Sequence, residues 1–87
     1  METELTPQYD TKKSFYKKAI VLNEDGKIIL RSYNTNVAEI RPTGHAVVFG
    51  SWSRTTTRHI KEFLKQNGYK ADSNKQILKD YSILNAV

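Results

Sequence analysis

The sequence predicts an α+β fold, a four-stranded antiparallel meander followed by one main helix and a short C-terminal helix. Three observations predict it. Four short runs rich in branched and aromatic residues lie between residues 14 and 49, separated by turn-forming Asn, Asp, Pro and Gly. The stretch from Gly50 to Gly68 then changes to a helical spacing of apolar positions. The length of 87 residues suits one domain and is too short for two.

Residues 1–12 read as a flexible acidic arm ahead of a single domain over residues 13–87. Pro7 disfavours helix at Thr6, and no apolar periodicity runs through the segment. The first strand is expected over Ser14–Leu22, and the turn Asn23-Glu24-Asp25-Gly26 leads to a second strand over Lys27–Tyr33. Asn34-Thr35-Asn36 breaks the pattern. A third strand follows over Val37–Arg41, with Ala38 and Ile40 on one face and Glu39 and Arg41 on the other. Pro42-Thr43-Gly44 is a tight connection to a fourth strand over His45–Phe49.

Ser53 or Thr55 is placed to cap the main helix, and Thr56, Ile60, Phe63 and Leu64 form its core face. Arg58, Lys61, Glu62 and Lys65 are expected to point away, with Arg58 and Glu62 as an ion pair one turn apart. Gly68 is the natural left-handed stop. Asp72 or Ser73 caps a second helix reaching about Ser82, with Ile77, Leu78 and Tyr81 as its apolar stripe. The tail Ile83-Leu84-Asn85-Ala86-Val87 is apolar and is expected to dock on the domain or on a second subunit.

With 38% apolar residues and five Tyr, the composition is that of a folded domain. Cysteine is absent, which excludes disulfides, thiolate metal sites and Cys nucleophiles. The longest apolar run, Ala46-Val47-Val48-Phe49, has the length of a strand and not of a membrane span. The start Met1-Glu-Thr-Glu lacks the basic segment of a secretory signal, so the expectation is a cytoplasmic protein with no membrane partner. Net charge is +5, but the first ten residues hold three of the nine acidic groups and no base. The remainder therefore carries 14 basic against 6 acidic side chains, a balance that attracts phosphates, nucleic acid or an acidic protein surface.

Three constellations carry the chemistry. Ser51, Ser53, Thr55, Thr56 and Thr57 stand with Arg54, Arg58 and His59 at the helix start, where free amides, hydroxyls and guanidiniums suit a phosphate. Capping alone needs only one or two of those hydroxyls. Lys17, Arg31, Tyr33, Arg41, His45 and Phe49 lie on the strands, and a basic sheet face with stackable rings suits single-stranded nucleic acid. Alternation also puts Ile29 and Val47 outward, and a partly apolar face serves protein association equally well. Trp52 beside the helix start is either a wedge closing the core or a stacking platform. Catalysis lacks support: His45 and His59 share no motif, no Gly-x-Ser-x-Gly elbow or P-loop is present, and two His without Cys do not make a zinc site.

The segments Ser32-Tyr-Asn-Thr-Asn-Val-Ala38 and Ser53-Arg-Thr-Thr-Thr-Arg-His-Ile-Lys-Glu-Phe-Leu-Lys-Gln-Asn-Gly68 resemble small uncharacterised proteins of bacteriophages and mobile elements of Gram-positive bacteria. Phe15-Tyr16-Lys17-Lys18-Ala19, Lys75-Gln-Ile77 and Asp80-Tyr81 fit the same pattern, so the resemblance covers residues 14–81. Trp52 stands where Tyr is expected before the Ser. The resemblance implies a phage or prophage origin and an accessory role in the infected bacterial cell, and it carries over no activity and no functional residues.

The expectation is therefore a non-enzymatic accessory protein, without metal or cofactor, that binds nucleic acid or a nucleotide-like signal. Arg54, Arg58, His59, Arg31, Arg41 and Lys17 would contact phosphates, and Tyr33 or Trp52 would stack. The alternative is an inhibitor of a host or defence protein acting through an uncovered sheet face. A homo-oligomer held by the apolar tail is a third reading.

Overall fold

The computed structural model describes residues 2–11, 13–50 and 52–82. Among them five strands form one antiparallel sheet in chain order: β1 (Glu2–Glu4), β2 (Ala19–Glu24), β3 (Lys27–Ser32), β4 (Thr35–Ile40) and β5 (Ala46–Val48). Two helices follow, α1 (Arg54–Gln66) and α2 (Asn74–Tyr81). The α+β class, the antiparallel meander and both helices are as the sequence predicts, but the count of four strands is one short. The extra strand is β1, which pairs Glu2 with Leu22 and Glu4 with Ile20. An edge strand needs only backbone partners on one side and tolerates outward carboxylates, so no apolar pattern marks it. Leu5, next in the chain, is buried in the core. Ser51 and the apolar tail over residues 83–87 lie outside the described residues.

Local chemistry sets the turns and helix ends. The β2–β3 hairpin closes on Asp25 and Gly26, both at positive φ (51° and 81°), the handedness that matches the twist of two paired strands. Ser53 caps α1 by accepting from the Thr56 amide at 3.3 Å. At the other end Gly68 (φ 84°) donates to the Lys65 carbonyl and Tyr69 to that of Leu64, which satisfies two carbonyls left free by the last turn. Ser73 caps α2 through the Gln76 amide, and Gln76 Oε1 in turn accepts from the Asp72 amide at 2.7 Å. After α2, Ser82 makes a parallel bridge to Val48.

The sheet register sorts the side chains into two faces. Val21, Leu30, Ala38 and Val48 stand opposite one another across four strands, and Ile28, Ile40 and Ala46 form the next row. These residues meet Ile60, Phe63 and Leu64 of α1 and Ile77 of α2 in one core. A bulge sharpens the arrangement. Leu30 pairs with Ala38 but Arg31 with Asn36, so Val37 is an extra residue on β4 and is buried beside Ala38. On the opposite face Glu39 lies between Ile29 and Val47, the two apolar residues expected to point outward. Neither belongs to the core cluster under the helices.

The connection from Leu5 to Lys18 is the part of the fold that the sequence conceals. It crosses the flank of α1, and Glu62 fastens it there. Glu62 is only 1% exposed. Its Oε1 accepts from the backbone amides of Tyr9 (2.9 Å) and Asp10 (3.0 Å), and its Oε2 from Gln66 Nε2 (2.6 Å). Gln66 Nε2 also donates to the Thr6 carbonyl at 2.7 Å. The expected Arg58–Glu62 pair is thus corrected: Glu62 faces inward under the loop, and Arg58 approaches Asp10 instead, at 3.8 Å. A helical wheel allows for one packed face, whereas the loop adds a second on the side of His59 and Glu62.

Removing this carboxylate leaves the Tyr9 and Asp10 amides without their acceptor, while Gln66 keeps the Thr6 carbonyl. Glu62→Ala should lower the unfolding free energy in urea by about 1–3 kcal/mol. Lys61→Ala, one residue away and outward, should change it by less than about 0.5 kcal/mol. Equal small effects would show that the loop is held by something else.

Candidate functional site

Two turns meet beside the first half of α1. In the first, Lys18 N–H donates to the Phe15 carbonyl at 3.0 Å around Tyr16 (φ 53°) and Lys17 (φ 63°). Both central residues are left-handed, a conformation normally given to Gly or Asn that costs other residues about 1–2 kcal/mol each. The second turn joins β3 to β4, and its first central residue is Tyr33, again left-handed (φ 58°). The Tyr33 amide ties the two turns together by donating to the Lys18 carbonyl at 2.7 Å. This turn geometry is why β2 begins at Ala19 and not at Ser14.

Between the turns and α1 lies a cavity of about 250 Å³. Phe15 and His59 form an edge-to-face pair in its wall, with ring centres 4.6 Å apart, and Tyr33 lies 6.0 Å from His59. Lys18 Nζ sits 5.4 Å from the centre of the Tyr33 ring. Lys18 and Arg58 are the charged residues lining the cavity, and both are cations. Tyr16, at the rim, is 75% exposed and Tyr33 47%.

Behind the cavity a buried polar node fixes α1 to β3. Ser32 Oγ lies 2.8 Å from His59 Nδ1 and 3.1 Å from Thr56 Oγ1. His59 is 1% exposed, so it meets a ligand only as part of the cavity wall and does not project with Arg54 and Arg58 as the sequence suggested.

The outer face of α1 is a cationic stripe. Arg54, Arg58, Lys61 and Lys65 recur at helical spacing and fall within about 60° of arc over about 17 Å of axis. Arg58 is central: it lines the aromatic cavity, a depression with Asp10, Lys61 and Lys65, and another with Trp52, Arg54 and Lys61. Trp52 packs against the core with its ring half-buried, and its Nε1 is buried without a hydrogen-bond partner among the described residues. It therefore closes the core and also lines the cationic groove. Lys61 and Lys65 were expected outward and continue the stripe, a spacing that starting from Arg54 could have revealed.

The strand-borne set is not brought together. Arg31 is engaged by Glu2 at 2.6 Å and Arg41 by Glu39 at 3.2 Å, each on the face away from the cavity. His45 contacts Thr43 beyond that, and Lys17 is exposed in its turn with its amide donating to Glu4 Oε2. Tyr33 leaves the sheet for the cavity. Phe15, Tyr16 and Lys18 line the cavity without a sequence signal, because nothing local in Phe-Tyr-Lys-Lys marks a left-handed turn. Among the described residues no group of three His, Asp or Glu is placed to hold a metal, and no helix is long and apolar enough to cross a membrane.

The node behind the cavity should be measurable as stability. Ser32→Ala leaves His59 and Thr56 without their shared partner and should cost about 1–3 kcal/mol in denaturant. Ser32→Thr, which keeps a hydroxyl, should recover part of the loss if the hydrogen bonds carry it.

No curated protein and no solved structure matches the chain. A family model matches residues 3–79, a span holding the three turns and three helix ends described above, the cavity and the stripe of α1. The chain belongs to that family, a family of unknown function, DUF8033.

Proposed function

We propose that this protein binds nucleic acid through the outer face of α1, as a non-enzymatic accessory protein of phage or mobile-element type working in the bacterial cytoplasm. The observation that carries the reading is the stripe Arg54, Arg58, Lys61 and Lys65, four cations on one helical edge leading to a cavity walled by rings. A phosphate chain lying along the stripe gains from each cation in turn, and counterions released from the chain supply the driving force. Asp10 tempers the centre of the stripe by standing 3.8 Å from Arg58. The phage setting follows from the resemblance of the Ser32–Ala38 and Ser53–Gly68 motifs.

The second reading is capture of a host or defence protein by the sheet face opposite the helices. It is favoured by the half-buried Ile20 and Leu22 beside Ile29 on that face. The ion pairs Arg31–Glu2 and Arg41–Glu39 on the same face leave little unbalanced charge there for a phosphate chain.

Salt titration separates the two. For a single strand engaging the four cations, log K against log salt should fall with a slope of about −3, and Arg54→Ala with Arg58→Ala should flatten it by about 1.4. A shallow slope, or full binding by the double variant, would remove α1 as the contact surface. Asp10→Asn should raise affinity at low salt by about two- to fivefold, because it takes away a charge that competes with phosphate for Arg58. Unchanged affinity would place Arg58 outside the interface.

A further inference from the structure

We infer that the cavity between the two left-handed turns is a receptor for a single nucleobase, with Tyr16 and Tyr33 as its stacking walls and Lys18 and Arg58 as its phosphate contacts. The inference rests on the nucleic-acid reading of α1 and adds to it the form of the ligand, an unpaired base.

Three observations meet here. Chain sterics reserve left-handed turn positions for Gly and Asn, yet Tyr occupies such a position in each of the two turns, and both rings line one cavity. The strain is local and has little packing return: Tyr16 is 75% exposed, and Tyr33, although it meets His59 and Lys18, still leaves 47% of its surface in solvent. A ring placed at such expense and left uncovered is suited to stacking on something that arrives from outside.

The lining then specifies what arrives. The wall is aromatic, with Phe15 and His59 in edge-to-face contact, and the charged groups at its edge are the cations Lys18 and Arg58. A planar ring attached to an anion satisfies both. The volume of about 250 Å³ is below that of a usual drug-sized pocket and fits one ring system with its sugar. Arg58 belongs to the cavity and to the stripe, so a strand following α1 passes the cavity mouth and can turn one base into it. A duplex holds its bases stacked and paired and cannot do so without unpairing. The same chemistry is offered by a free nucleotide, which would use the cavity without the stripe.

The test uses variants that take away the ring and relieve the turn together. Tyr16→Gly and Tyr33→Gly should leave the thermal midpoint equal to or above that of the unaltered protein, so lost binding is not lost folding. Fluorescence anisotropy with a short labelled thymidine strand should show each variant weaker by about tenfold or more. An abasic strand of the same length should bind the unaltered protein as weakly, and a duplex of matching length should bind protein and variants alike. Saturable binding of thymidine monophosphate that is lost in Tyr33→Gly would assign the cavity to free nucleotides. Binding of the strand alone would assign it to single-stranded nucleic acid.

If both variants bind the thymidine strand as the unaltered protein does, the cavity is not a base receptor, while a steep salt slope dependent on Arg54 and Arg58 would leave the α1 reading standing. If the unaltered protein binds neither strand, duplex nor nucleotide at low salt, both readings fall together.

Discussion

A single buried carboxylate decides how this small domain is put together. Glu62 accepts from two backbone amides more than fifty residues away in the chain and from Gln66 on its own helix. Taking a carboxylate out of water is unfavourable unless its lone pairs are met, and here each oxygen has a donor. The result is that the chain from Leu5 to Lys18 lies against α1 instead of hanging from the sheet. Everything on the functional side follows from that docking. It puts Asp10 beside Arg58, buries His59, and delivers Phe15 and Tyr16 to the edge of the helix.

Stability and site are arranged in opposite senses. Where the chain has only to fold, local preferences are obeyed: Asp25-Gly26 in the hairpin, Ser53 and Ser73 as caps, Gly68 as the stop. Where it borders the cavity, they are set aside, and Tyr16, Lys17 and Tyr33 take left-handed backbone without being glycine. In a domain of 87 residues with a small core, such departures are a sizeable fraction of the net stability. Their concentration around one cavity is what gives that cavity its weight.

What the sequence made legible depended on distance along the chain. The caps, the position of the β2–β3 turn and the α1 core face are set by residues within a few positions of one another, and the sequence shows them, although β2 itself runs over Ala19–Glu24 and not from Ser14. Arg58, Lys61 and Lys65 are legible as outward cations for the same reason. β1, Glu62 and the buried His59 were not, because each is defined by a contact with a remote segment: Glu2–Leu22, Tyr9–Glu62, Ser32–His59. Arg31 and Arg41 stood out as bases in the sequence, but whether a base is matched by Glu2 or Glu39 depends on strand register and pairing. The turn at Tyr16 and Lys17 was hidden for a different reason, since its residues contradict the turn they form.

The sheet is also bounded in a way that matters at high concentration. Each of its end strands, β1 and β5, is three residues long. One carries Glu2 and Glu4, and the other is met by Ser82 along its outer side. An exposed strand invites another copy to continue the ladder, and short length, like charge and a capping bridge each discourage it. The central strands β2, β3 and β4, with Val21, Leu30 and Ala38 on one face, are apolar enough to seed aggregation, yet neither border offers a long template on which to grow.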